Sequence, residues 1–115
     1  MTTTKTIWVT FARHGIHCYP GAPDEVSYLR APHRHLFEFR VEISVNHNER
    51  EIEYHMFQNY ITGLYDGSCL DLDAKSCETI AEDLALHLTN KYPDRTITVE
   101  VSEDRECGSI VRVVP

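Results

Sequence analysis

Between residues 33 and 45 the chain reads HRHLFEFRVEISV, and from Phe37 onward every second residue is apolar. Phe37, Phe39, Val41, Ile43 and Val45 share one side, and Glu38, Arg40, Glu42 and Ser44 share the other. Successive side chains of a β-strand point to opposite faces, so this alternation specifies a strand with one buried face. Continued backwards, the same parity puts His33 and His35 on the apolar side. Two polar rings aimed at a core need partners, because an unpaired buried nitrogen is costly.

The other segments supply what covers that strand. Residues 5–17, KTIWVTFARHGIH, read as a strand with Ile7, Val9 and Phe11 inward, a parity that continues through Arg13 and Gly15 to His17. Residues 18–32 carry Pro20, Gly21, Pro23 and Pro32 and read as a long loop, a length often associated with function. Residues 34–46 are the second strand, and NHNERE turns the chain. Tyr54, Phe57, Ile61 and Leu64 repeat at intervals of three and four, which predicts a helix over 53–65. A second helix is expected over 77–91, capped by Ser76, with Glu78 in its first turn and Ile80, Ala81, Leu84 and Leu88 buried. TITVEVSE, 96–103, and IVRVV, 110–114, complete the set as strands. The order ββααββ over residues 1–115 argues for one α+β domain.

A formal net charge of −7 disfavours nonspecific attraction to nucleic acid or anionic membranes. No apolar run approaches the length of a membrane span, and the start MTTTKTIWV lacks the regions of a signal peptide, so a cytoplasmic location is expected. Cys18, Cys69, Cys77 and Cys107 form no C-x-x-C pair and are expected to be free thiols.

His33 and His35, at i and i+2, project side by side from one strand face. His17 has the inward parity of the first strand, and two neighbouring strands would bring the three imidazoles together. Three histidines with one open position form the ligand set of a catalytic zinc site. The competing reading is that all three are polar residues at fraying strand ends. His14 is the rival third ligand, but it lies on the opposite face of its strand. Glu103 closes the inward row Ile97, Val99, Val101. A carboxylate there is neutralised by Arg105 or Arg112, is solvated, or accepts hydrogen bonds from adjacent N–H donors of a guanine-like ring edge.

Taken in order, these segments resemble the 6-pyruvoyltetrahydropterin synthase and 6-carboxytetrahydropterin synthase family over nearly the whole chain. HCYPG resembles the end of the family's first strand, HRHLFEFRVEI its H-G-H pair and following strand, and IEYHMF the I-x-D-F opening of its first helix. KSCETIAEDL resembles its acidic-serine start of the second helix, and VSEDRECGSIVRV its V-x-E-T segment. The resemblance implies a tunnelling fold (T-fold), an antiparallel four-stranded sheet with two helices on one face. It implies Zn2+ on His17, His33 and His35 and a pterin- or purine-binding Glu103. The implied activity is that of a lyase acting on 7,8-dihydroneopterin triphosphate or a related substrate. It also implies a homo-oligomer, a trimer or hexamer.

The departures concern proton transfer. No cysteine precedes the histidine pair at the family's spacing, and Ser27 is the nearest candidate in its place. The family's Asp-His relay falls on LYDGSCLDLD, where Asp66 matches the aspartate, the histidine position is Gly67 or Ser68, and Cys69 offers a nearby thiol. Asp24 and Glu25 are further weak bases. Arg34 replaces the glycine between the histidines and points to the other face. The alternative function is therefore a protein that sequesters, senses or carries a purine, pterin or deazaguanine ligand without turning it over.

Overall fold

In the computed structural model, which describes residues Met1–Pro115, β1 (Lys5–His17) and β2 (His33–Val45) pair antiparallel along their full length, from Lys5 opposite Val45 to His17 opposite His33. Burial along β1 alternates as its sequence requires: Val9, Gly15 and His17 are buried, while Thr6, Trp8, Thr10, Ala12, His14 and Ile16 are exposed. Gly15 is a close-approach position. A Cβ there would lie 2.8 Å from Leu72 Cδ1 and 2.9 Å from Phe37 Cδ2, so the absence of a side chain is what lets Phe37 sit beneath the strand end.

β4 (Ile97–Glu103) pairs with the other side of β2, and β5 (Cys107–Val113) pairs with β4. The β4–β5 turn places Asp104 and Arg105 at φ 53° and 60°, the left-handed region that aspartate tolerates better than most residues. β5 begins at Cys107, earlier than the strand expected from residue 110, because the CGS segment carries no apolar alternation to announce it.

The expected antiparallel four-stranded sheet, with two helices in the order ββααββ, is overturned. The sheet has five strands in the order β3-β1-β2-β4-β5, and β3 (Leu70–Asp71) runs parallel to β1, with Gly15 opposite Leu70 and Ile16 opposite Asp71. A third helical segment, a 3₁₀ helix at Asp24–Leu29, lies in the stretch read as loop. Neither difference leaves a pattern in the sequence. A two-residue strand is too short to display a period, and its pairing depends on where the chain returns in space. The 3₁₀ turn buries none of its residues, so no apolar pattern marks it.

Helix α1 (Tyr54–Thr62) is shorter than expected. The Glu53 carboxylate caps it by accepting from the backbone N–H groups of His55 and Met56. It ends where Leu64 N–H and Tyr65 N–H close tight turns on the carbonyls of Ile61 and Thr62. Phe57 and Ile61 are buried, but Tyr54 and Leu64 are exposed, so the apolar stripe narrows to its centre. Helix α2 (Cys77–Lys91) has the expected bounds, and Ser76 Oγ accepts from Thr79 N–H at 3.1 Å. Its Ile80, Ala81, Leu84 and Leu88 join Phe57, Ile61 and the inward sheet residues in one core cluster. Each large side chain buried there contributes roughly 1.5–3 kcal/mol relative to exposure. No helix is long and apolar enough to cross a membrane.

One ion pair ties the far end of β2 to the start of β4. Arg95 donates to the Glu51 carboxylate and to the Ser44 carbonyl. The Arg95 hydrogen bond holds the Glu51 carboxyl down, from 4.5 to about 2. A carboxyl with a depressed folded-state pKa contributes stability above its unfolded value and loses it as pH falls through the folded one. Acid denaturation followed by circular dichroism is therefore expected to show a stability loss between about pH 4.5 and 2 that Glu51→Gln flattens. An unchanged acid limb in the variant would assign that loss to other groups.

Candidate metal and ligand site

The β1–β2 register builds the site. His17 ends β1 directly opposite His33, the first residue of β2, and His35 follows two residues along the same face. The ring centroids lie 4.6 Å (His17–His33), 4.9 Å (His33–His35) and 5.3 Å (His17–His35) apart. One ring nitrogen from each converges with the others to within 4.8 Å. Phe37 forms the floor, meeting the rings of His17 and His35 edge-on at 5.1 and 5.7 Å. His14 is exposed on the opposite face and takes no part.

Each imidazole is oriented by a partner at Nδ1. His17 Nδ1 meets the Lys75 carbonyl at 2.8 Å, His33 Nδ1 meets the Ala31 carbonyl at 2.9 Å, and His35 Nδ1 meets Asp104 Oδ2 at 2.7 Å. A carbonyl or carboxylate oxygen only accepts, so Nδ1 carries a proton, and in the neutral ring Nε2 presents a lone pair. The Asp104 carboxyl is held below its usual range, first by the backbone N–H of Leu36 and then by His35, which keeps it an acceptor.

Glu103 extends from the last position of β4 toward this convergence. Its Oε1 lies 3.2 Å from His17 Nε2 and its Oε2 lies 3.4 Å from His35 Nε2. His35 Nε2 is buried and has no hydrogen-bond partner. Lone pairs on nitrogen facing a carboxylate are electrostatically unbalanced without a cation. A proton serves one imidazole; a divalent cation serves all three, and the donor set suits zinc, with iron, cobalt and nickel also compatible with nitrogen ligands. Neither arginine expected to neutralise Glu103 does so. Arg105 pairs with Glu38, and Arg112 donates to Thr98 Oγ1 at 3.2 Å.

Two thiols flank the same carboxylate. Cys77 Sγ lies 3.9 Å from Glu103 Oε1, and Cys107 Sγ lies 3.9 Å from Oε2. Burial, followed by the nearby Glu103 charge, pushes the Cys77 thiol up to about 12 and moves Cys107 in the same direction. Both shifts favour the protonated S–H form. The site opens into a cavity of about 540 Å³ whose lining includes His17, His33, Cys18, Cys77, Glu103 and Cys107. That volume suits a small heterocycle. A cleft of similar size, about 570 Å³, surrounds Glu38, Arg40 and Glu100 but contains no histidine.

The residues proposed from sequence for proton transfer lie elsewhere. Ser27 is exposed in the 3₁₀ helix, Asp66 is exposed after α1, Cys69 is partly buried beside β3, and none of the three lines the cavity. Asp24 is engaged by Arg30 at 2.7 Å. The groups sequence reasoning missed are Cys77, Cys107 and Asp104. Cys77 was within reach, since it follows the predicted cap Ser76. Cys107 was within reach only if the β4–β5 pairing were known, for it faces Glu103 across the hairpin. Nothing in the segment EDRE signals that Asp104 meets a histidine on another strand. No protein-family model matches the chain, and no curated protein matches it.

Proposed function

We propose that this chain is a zinc-dependent lyase of the pterin-synthase type, acting on 7,8-dihydroneopterin triphosphate or a related pterin or purine substrate. The observation that carries this reading is the convergence of His17, His33 and His35 beside Glu103, with His17, His33 and Glu103 lining a ligand-sized cavity. When bound, zinc supplies Lewis-acid polarisation of a substrate oxygen. Glu103 accepts hydrogen bonds from ring N–H donors and fixes the ring's orientation. Cys77 and Cys107, as neutral thiols against that carboxylate, are the S–H groups in the cavity that could donate a proton to a bound ligand, whereas Ser27, Asp66 and Cys69 do not line the cavity.

A second reading has its own support. The placement of Ser27, Asp66 and Cys69 outside the cavity favours a protein that binds a pterin, purine or deazaguanine compound and does not turn it over. The resemblance further implies a homo-oligomer, and the outer edge of β5 and most of β1's outer edge carry no strand partner, which makes assembly through edges reasonable.

One preparation tests these readings together. Purified protein supplied with zinc is expected to hold about one ion per chain, and the His33→Ala variant to hold none. Its mass by light scattering is expected to be that of a trimer or hexamer. Added dihydroneopterin triphosphate is expected to be consumed, with release of triphosphate or the side chain. Saturable binding without consumption would favour the carrier reading, and a wild type that holds no metal would remove the basis for both.

A further inference from the structure

Of the three imidazoles, two are oriented by backbone carbonyls and one by a charged side chain. We propose that Asp104 is the positioning residue of the metal centre. By its two carboxylate oxygens it fixes the tautomer of His35 and so keeps that ring's Nε2 free to ligate. This inference rests on the metal reading above and concerns a residue that touches neither metal nor substrate.

The geometry is specific. Asp104 Oδ1 accepts from the backbone N–H of Leu36 at 2.9 Å, and Oδ2 meets His35 Nδ1 at 2.7 Å. The Asp104 backbone N–H in turn donates to the Leu36 carbonyl at 2.9 Å. Asp104 is thus clamped to β2 through Leu36, immediately beside the ring it orients. Its backbone φ of 53° lies in the left-handed region. Both oxygens have acceptor duties, and the duties are not interchangeable. A backbone N–H always donates, so whatever replaces Oδ1 must accept.

That asymmetry makes an isosteric substitution informative. In Asp104→Asn the amide oxygen must face Leu36 N–H, which leaves the NH2 group facing His35 Nδ1. A donor in that place requires Nδ1 to accept, which moves the ring proton to Nε2, the atom aimed at the metal. Asparagine tolerates the left-handed conformation as well as aspartate does, so the turn and the Leu36 clamp persist. A residue that served only to hold the turn would be replaced by asparagine without loss. A residue that sets the tautomer would not.

The experiment has two readouts. In metal-free protein, nitrogen-15 spectra of the histidine rings are expected to show His35 protonated on Nδ1 in the wild type and on Nε2 in Asp104→Asn, with His17 and His33 unchanged. In zinc titrations, Asp104→Asn is expected to weaken binding by about 10–100-fold, the range for removing a group that supports a metal-bound histidine. Asp104→Ala, which presents no wrong donor, is expected to lose no more than Asp104→Asn. An Nδ1-protonated His35 in Asp104→Asn, or a wild-type zinc affinity in that variant, overturns the inference. If the wild type itself takes up no zinc, the metal reading fails while the ring spectra still decide what Asp104 does to His35.

Discussion

Replacing His17 with alanine is expected to abolish stoichiometric zinc binding, while His14→Ala leaves it intact. The two residues lie three positions apart on β1 but on opposite faces: His17 is buried, His14 exposed. His17 faces His33 across the register and, through its Nδ1 bond to the Lys75 carbonyl, aims Nε2 at the convergence. Removing one of three ligands costs more than removing a group that merely supports a ligand, so the loss of affinity should exceed about 100-fold. Metal binding is coupled to folding when the ligands come from separated segments. The zinc-induced rise in melting temperature is therefore expected to vanish in His17→Ala and to persist in His14→Ala. Calorimetric titration with zinc, alongside melting curves with and without the metal, provides the check. Equal zinc affinity in wild type and His17→Ala would exclude this histidine from the site.

Phe37→Ala is expected to be the most damaging single change to the fold. The ring is fully buried, and it lies at the junction of two packing systems. On one side it belongs to the core cluster that α1 and α2 cover; on the other it supports the edges of the His17 and His35 rings. Truncating a buried phenylalanine costs about 3–5 kcal/mol, the lost transfer energy together with the cavity left behind. Domains of this kind have roughly 5–15 kcal/mol to lose, so the variant would retain a fraction of its stability. The midpoint of urea unfolding should fall accordingly, with an unchanged slope if the unfolded state is unaffected. Phe37→Leu, which refills much of the volume, should fall less. A near-native midpoint for the alanine variant would mean that the core collapses around the gap and that the floor of the site is not rigid.

These two expectations connect the core to the chemistry. The strand that carries His33 and His35 is the strand whose Phe37, Phe39, Val41 and Ile43 are fully or almost fully buried. Its register is fixed by that burial, because a one-residue slip would turn every apolar side chain to solvent. The same slip would turn both histidines away from His17. The packing that holds the sheet together is thus what holds the three histidines in place.

Local periodicity determined much of this from the sequence alone. The alternation in β1 and β2 located both strands and the inward parity of His17, His33 and His35, since parity is a property of consecutive residues. The cap at Ser76 and the stripe of α2 were legible for the same reason, and so was the inward direction of Glu103. What the tertiary structure decided depends on residues far apart in the chain. β3 is a strand only because Leu70 returns to the end of β1. Asp104 reaches His35 across 69 positions, and Lys75 offers its carbonyl to His17 across 58. Glu103 meets Cys77 and Cys107 rather than an arginine because a hairpin and a helix start converge on it. Pairings of that kind leave no period in the sequence, because they are set by where whole elements pack and not by the residues beside them.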